Sequence, residues 1–185
     1  MKILAISGSL RKKSFNTALL RAAQISAPAG MDVDLFETLG EFPLYNQDVA
    51  DAAFPDLVSK TKERIRTADG ILFSTPEYNR GISGVLKNMI DWCSRPSGDG
   101  AWGEKPYGIM SASGGRLSAM RANYELKLTM LQMGGYVMGT PEFFLGNGKD
   151  VFDENMALAD EKTKELLAKY LAAFKTYAER FSQKA

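Results

Sequence analysis

Ile3, Leu4, Ala5 and Ile6 form an unbroken apolar run that Ser7, Gly8 and Ser9 cut off. A run this short and continuous reads as a strand buried on both faces, and such strands belong to parallel sheets covered by helices on either side. Residues 70–75, stopped by Pro76, and residues 107–111 repeat the pattern, while residues 31–36 alternate and read as another strand. A fifth strand covers 136–138, its continuation as far as Phe144 left open. Helical stripes lie between the strands. Ala18, Leu19, Ala22, Ala23 and Ala27 mark one over 16–27, and residues 55–67 form another with Pro55 in the tolerated first turn. Val85, Leu86, Met89, Ile90 and Cys93 mark a helix over 83–94. Leu117, Met120, Tyr124, Leu128 and Leu131 mark a long one ended by Gly134 and Gly135, and Leu166 to Phe181 carries the last. Residues 42–54 have no period and read as a connection. Strand and helix in alternation predict an α/β fold: a doubly wound, five-stranded parallel sheet in the order 2-1-3-4-5 with helices on both faces, made by residues 1–185 as one domain.

What the chain lacks narrows its chemistry. It has no histidine, which removes Ser-His-Asp and Cys-His catalysis and every His-ligated metal site. Its single cysteine, Cys93, forbids an intrachain disulfide and a Cys-rich metal centre, so no metal is expected. Cys93 lies on the apolar stripe of its helix and reads as a buried, inert thiol. Lys and Arg number 23 against 22 Asp and Glu, a net charge of +1 that argues against a nucleic-acid partner. The opening apolar run is too short for a signal-peptide core, and no stretch approaches the ~18 apolar residues of a membrane span. The reducing cytoplasm is the expected compartment, with no membrane partner.

Doubly wound sheets bind ligands beyond the carboxyl ends of their strands, where the strand order reverses. The loops after strands one, three and four therefore matter most. The first runs from Gly8 to Thr17 and contains Ser9, Arg11, Ser14 and Asn16. Free N–H groups at a helix start, short hydroxyls and a planar guanidinium suit a phosphate, although an ordinary turn with Ser14 as N-cap fits the same residues. It is neither a GxxxxGK[ST] loop nor a GxGxxG loop, and Gly146, Asn147 and Gly148 read as a turn. The second loop holds Pro76, Glu77, Tyr78, Asn79, Arg80, Gly81 and Ser83; it suits a flat ligand laid on backbone amides, or a tight turn capped by Ser83. The third holds Ser111, Ser113, Gly114 and Gly115, small enough to leave room for a ring edge.

Gly8, Ser9, Leu10, Arg11, Ser14 and Asn16 after the first strand, with Pro76, Glu77, Tyr78 and Asn79 after the third, resemble the NADPH-dependent FMN reductase family, in particular its bacterial quinone, chromate and azo-dye reductases. The stretch with Leu86, Asn88, Ile90, Asp91 and Trp92 is similar as well, and the likeness runs from Met1 to about Phe144. The resemblance implies a flavodoxin-like fold, non-covalent FMN, NADPH or NADH as hydride donor, and a homodimer or dimer of dimers. It implies that Ser9, Arg11, Ser14, Phe15 and Asn16 surround the FMN phosphate. Pro76, Glu77, Tyr78 and Asn79 would line the ring, largely through backbone groups, with Ser111, Gly114 and Gly115 at its edge. No side chain is expected to be catalytic, because a flavin carries the redox chemistry itself. Arg80 and Arg95 are the candidate contacts for a substrate at the crevice mouth. The implied reaction is ping-pong two-electron transfer from NAD(P)H to quinones, chromate, ferric chelates, azo compounds or free flavin. A flavodoxin-type electron carrier, or a flavin-binding module without turnover, are the competing readings.

Overall fold

The computed structural model describes residues 1–182. Strand β1 (Lys2–Ser7) lies between β2 (Asp32–Phe36) and β3 (Gly70–Thr75), with Ile3 beside Val33 on one side and Gly70 on the other. β4 (Pro106–Ala112) pairs with the far side of β3, and the order β2-β1-β3-β4-β5 is parallel throughout. The fold class and strand order read from the sequence are those of the structure.

The fifth strand is broken in two. β5 (Tyr136–Val137) pairs with Pro106 and Tyr107, and β6 (Phe143–Leu145) pairs with Met110, Ser111 and Ala112 of the same strand. Pro141 lies between them and has no N–H to give the ladder. The Ile109 carbonyl, opposite the break, instead accepts Asn123 Nδ2–H at 3.1 Å.

Among the described residues seven helices accompany the sheet: α1 (Phe15–Ile25), α2 (Gln47–Ala52), α3 (Asp56–Thr67), α4 (Gly84–Cys93), α5 (Met120–Gln132), α6 (Gly148–Val151) and α7 (Glu161–Ser182). Side chains alternate across each strand, so the central strands β1, β3 and β4 feed two cores. Ile3, Ala5, Leu72 and Met110 pack with Leu19, Leu20, Leu167, Leu171 and Phe174 under α1 and α7. Leu4, Ile6, Ile71, Phe73 and Ile109 pack with Ile65, Leu86, Met89, Ile90, Leu126 and Met130 under α3, α4 and α5. Full burial stabilises each such Leu, Ile or Phe by about 1.5–3 kcal/mol. Cys93 is among them, and burial pushes its thiol up to about 12.

Two elements depart from the sequence reading. A 3-10 turn (Leu39–Glu41) precedes the connection over 42–54, and helix α2 lies within it, capped by Asn46 Oδ1 on the Asp48 N–H at 2.9 Å. It folds onto Trp92, whose indole N–H donates to the Pro43 carbonyl at 2.8 Å and whose ring meets Tyr45 and Phe54 edge-on. Asn88 adds two bonds, donating to Pro43 O and accepting the Tyr45 N–H, both at 2.8 Å. Helix α5 starts at Met120 rather than Leu117, because Ser118 and Ala119 are left-handed (φ 56° and 57°). Among the described residues no helix is long and apolar enough to cross a membrane.

Candidate functional site

Three loops meet at the carboxyl rim of β1, β3 and β4. The Gly8 N–H donates to Ser74 O at 2.9 Å, and a Cβ on Gly8 would stand 2.9 Å from the Pro76 ring. Ser83 Oγ donates to Gly8 O at 2.6 Å while capping α4 by accepting the Leu86 N–H. The first and second loops are thus fastened to each other.

In the first loop Ser14 is the N-cap of α1, its oxygen accepting the Thr17 N–H at 3.3 Å. Ser7 and Thr17 share a hydroxyl bond at 2.8 Å, and Ser9 Oγ accepts the Arg11 N–H. The backbone N–H groups of Lys12, Lys13, Ser14, Phe15 and Asn16 have no acceptor among the described residues. They lie at the positive end of an 11-residue helix, beside the exposed side chains of Arg11, Lys12 and Lys13. Donor-rich backbone, helix dipole and guanidinium are the ingredients an anion site requires. A cavity of about 230 Å³ opens there, lined by Ser7, Ser9, Arg11, Lys12, Thr17 and Glu37 among others.

Asn16 has another job than direct donation to a ligand. It is buried, its Nδ2 donating to Ala112 O at 2.9 Å and its Oδ1 accepting Ser74 Oγ–H at 2.8 Å and the Ala112 N–H at 3.0 Å. Its side chain pins α1 to β3 and β4. Phe15 is half-buried, stacked on Phe152 at 5.8 Å, and lies so close to Gly148 that a Cβ there would be 2.7 Å from its ring.

In the second loop Pro76 is buried and Tyr78 and Gly81 exchange both backbone hydrogen bonds across a two-residue turn. Asn79 and Arg80 take positive φ (50° and 72°), the type I′ geometry. Tyr78, Asn79 and Arg80 stand exposed at the tip. Glu77 turns inward, its Oε2 accepting the N–H groups of Arg121 (3.0 Å) and Ala122 (3.3 Å). Ala119, the N-cap of α5, has no side chain for that purpose. Glu125 returns from α5 to accept the Ile82 N–H at 2.9 Å. Nothing in the local sequence pairs Glu125 with Ile82, and sequence reasoning missed it.

In the third loop Ser111 is buried and donates to Ser118 O at 2.7 Å. Ser113 holds the turn through its N–H to Leu145 O and its Oγ to Gly115 O, both at 2.9 Å. Gly114 and Gly115 are exposed; a Cβ on Gly115 would meet nothing within 4 Å, and one on Gly114 only Phe15 at 3.6 Å. The space above these glycines is open, and a flat ring fits a shelf of this kind.

Arg95 does not belong to the rim. It follows the far end of α4, whose N-cap Ser83 is the end that touches Gly8, and a ten-residue helix carries the chain about 15 Å. There the Arg95 carbonyl accepts Lys62 Nζ–H at 2.6 Å beside Asp99. The hydrogen bond from Lys62, with Arg66 adding to it, holds the Asp99 carboxyl below the usual carboxylate range. Among the described residues no group of three Cys, Asp or Glu side chains is placed to hold a metal.

A doubly wound parallel sheet with a donor-rich helix start at its switch point and exposed glycines after the neighbouring strand has the architecture of a nucleotide-binding α/β protein. The sequence pattern of the NADPH-dependent FMN reductases matches residues 1–150, and the chain belongs to that family. It is 41% identical over 180 residues to an NAD(P)H-dependent FMN reductase of Pseudomonas aeruginosa, covering 97% of this chain and 96% of that one. It is 36% identical to a quinone reductase of Pseudomonas putida, covering 95% and 93%. The flavodoxin-like fold is shared with FerB, a flavoenzyme NAD(P)H:(acceptor) oxidoreductase of Paracoccus denitrificans, at a TM-score of 0.89 and 34% identity, covering 97% of this chain and 98% of FerB. The likeness therefore extends past Phe144 into α7.

Proposed function

We propose that residues 1–185 act as one FMN-binding unit, an NAD(P)H:acceptor oxidoreductase for quinones and other small oxidants in the cytoplasm. The observation that carries this reading is the start of α1, where five consecutive unpaired N–H groups, from Lys12 to Asn16, gather beside Arg11. That donor set matches a phosphate dianion. In this reading Ser9, Arg11 and those N–H groups hold the FMN phosphate, with Ser14, Phe15 and Asn16 shaping the loop. The backbone of Pro76, Glu77, Tyr78 and Asn79 lines one side of the ring, and Gly114 and Gly115, braced by Ser111, lie along its edge. Bound FMN supplies the hydride and two-electron chemistry. The protein positions its reactants; it has no histidine, and Glu77 and Glu125 are both engaged with backbone N–H groups, which leaves neither carboxylate to relay a proton. Arg80 at the exposed hairpin tip meets the nicotinamide nucleotide or the acceptor. Chromate, azo compounds, ferric chelates and free flavin belong to the same class of small acceptors, served in turn at one open face in a ping-pong sequence.

The chain acts as a homodimer joined through α5, whose outward face carries Met120, Tyr124, Leu128 and Leu131, with Leu117 just ahead of the helix, all exposed. Leu86, Met89, Ile90 and Trp92 of α4 are fully buried and offer no apolar surface to a partner.

Anaerobic mixing of the FMN-loaded protein with NADPH, then NADH, tests the reading. Rapid bleaching of the yellow colour without a protein partner, and its return on adding a quinone, is the expected result. A protein that stays colourless after FMN loading and desalting, or one that bleaches only with a separate reductase, overturns it.

A further inference from the structure

Two carboxylates cross between the second loop and α5 in opposite directions. Glu77, next to Pro76, accepts the N–H groups of Arg121 and Ala122 at 3.0 and 3.3 Å. Glu125, one turn further along α5, reaches back to the Ile82 N–H at 2.9 Å. Neither carboxylate has a cationic partner among the described residues, so both are committed to backbone. The Tyr78–Gly81 hairpin stands between these two anchor points. Its central residues, Asn79 and Arg80, are left-handed, a conformation that non-glycine residues keep only where their surroundings hold it. Gly81 is packed against the second anchor: a Cβ there would lie 3.0 Å from Glu125 Oε2.

We propose that Glu125 is a positioning residue. With Glu77 it fixes the 78–81 hairpin as a rigid lip beside the ring shelf, and the fixed lip sets the affinity for the small oxidant that enters past Tyr78 and Arg80. The proposal rests on the flavin-reductase reading above. A preformed lip spares the ordering that a mobile one undergoes each time a ligand binds, and the cost of that ordering falls on affinity. The clamp is a hydrogen bond to an oxygen rather than an ion pair, so glutamine at 125 retains it and alanine does not.

The test compares Glu125→Ala, Glu125→Gln and Gly81→Ala in the FMN-loaded enzyme, with benzoquinone as acceptor. Glu125→Ala raises the KM for benzoquinone about three- to tenfold, with kcat changed less than about twofold and flavin content as in the wild type. The Gly81 and Ile82 amides exchange faster with solvent. Glu125→Gln restores both readouts. Gly81→Ala, which crowds the carboxylate off Ile82 without removing it, shifts KM and exchange in the same direction as Glu125→Ala. Unchanged KM in Glu125→Ala overturns the proposal. So does an equal loss of flavin and thermal stability in Glu125→Ala and Glu125→Gln, which marks a merely structural residue. A wild-type protein that binds no FMN overturns the flavin reading instead; the exchange comparison then still decides the clamp, and equal exchange in wild type and Glu125→Ala overturns it.

Discussion

One side chain, Asn16, makes three of the rim's ties. Replacing it with alanine strands the Ser74 hydroxyl, the Ala112 N–H and the Ala112 carbonyl in a buried space. Buried polar groups left without partners cost about 1–3 kcal/mol each, and partial relaxation brings Asn16→Ala to about 2–4 kcal/mol of lost stability, read by urea unfolding. Asn16→Asp does not rescue, since a carboxylate has no hydrogen for Ala112 O. A variant within experimental error of the wild type would show that the three bonds do not hold the rim. Glu142 carries a pH prediction. The hydrogen bond from Lys127, reinforced by one from the Tyr124 hydroxyl, holds its carboxyl below the ordinary value of 4.5. A depressed carboxyl contributes stability that is complete above its unfolded value and is lost as pH falls through its folded value. The gap in Tm between the wild type and Glu142→Gln should therefore be widest near neutrality and close below 4.5. A gap independent of pH would separate Glu142 from the acid sensitivity of the fold.

At the scale of elements, the segment with the least periodicity is held by the most specific contacts. Trp92 and Asn88 both reach the Pro43 carbonyl, and Phe42, Tyr45 and Phe54 close over Trp92. Trp92→Phe keeps most of the ring packing and removes the indole N–H. Residues 43–54 should then be cut faster by protease, with flavin content unchanged; an unaltered cleavage rate would mean that Asn88 and the packed rings suffice. This segment also shows where sequence reading reaches its limit. Strands β1, β3 and β4 were legible because burial on two faces writes an unbroken apolar run. Helix α2 was not, because its place depends on Trp92, some forty residues away in the chain. The break between β5 and β6 and the late start of α5 have the same origin, a proline in the ladder and two left-handed residues that leave no periodic mark. At the site, the three loops were legible from strand ends and small residues. The engagement of Glu77 with α5 was not, since a capping partner 44 residues distant leaves no local signal. The remoteness of Arg95 was open to simple arithmetic, because the helix before it already carries the chain away from the rim.

For the whole molecule the decisive surface is the outer face of α5. Leu128 is 67% exposed and Leu131 54%, with Met120 and Tyr124 on the same side of the helix, and Leu117, 68% exposed, stands just before its start. Scattered apolar residues are common on protein surfaces, but four on one continuous stripe leave water only by meeting another surface. A second copy of the chain offers the same stripe, and a two-fold axis lets one patch cover its own image. A stable interface buries about 800 Å² on each partner, so in the proposed dimer the stripe would form the centre and polar neighbours would complete the rim. A charge placed at that centre would be desolvated without a partner, and Leu128→Glu should shift the protein towards monomer while leaving FMN content intact, because Leu128 lies on the face of α5 turned away from Ile109 and the sheet. Light scattering across a dilution series measures the mass of each. A wild-type protein that is monomeric at every concentration removes α5 as a dimer surface, and a Leu128→Glu variant that stays dimeric with wild-type affinity moves the interface to another face.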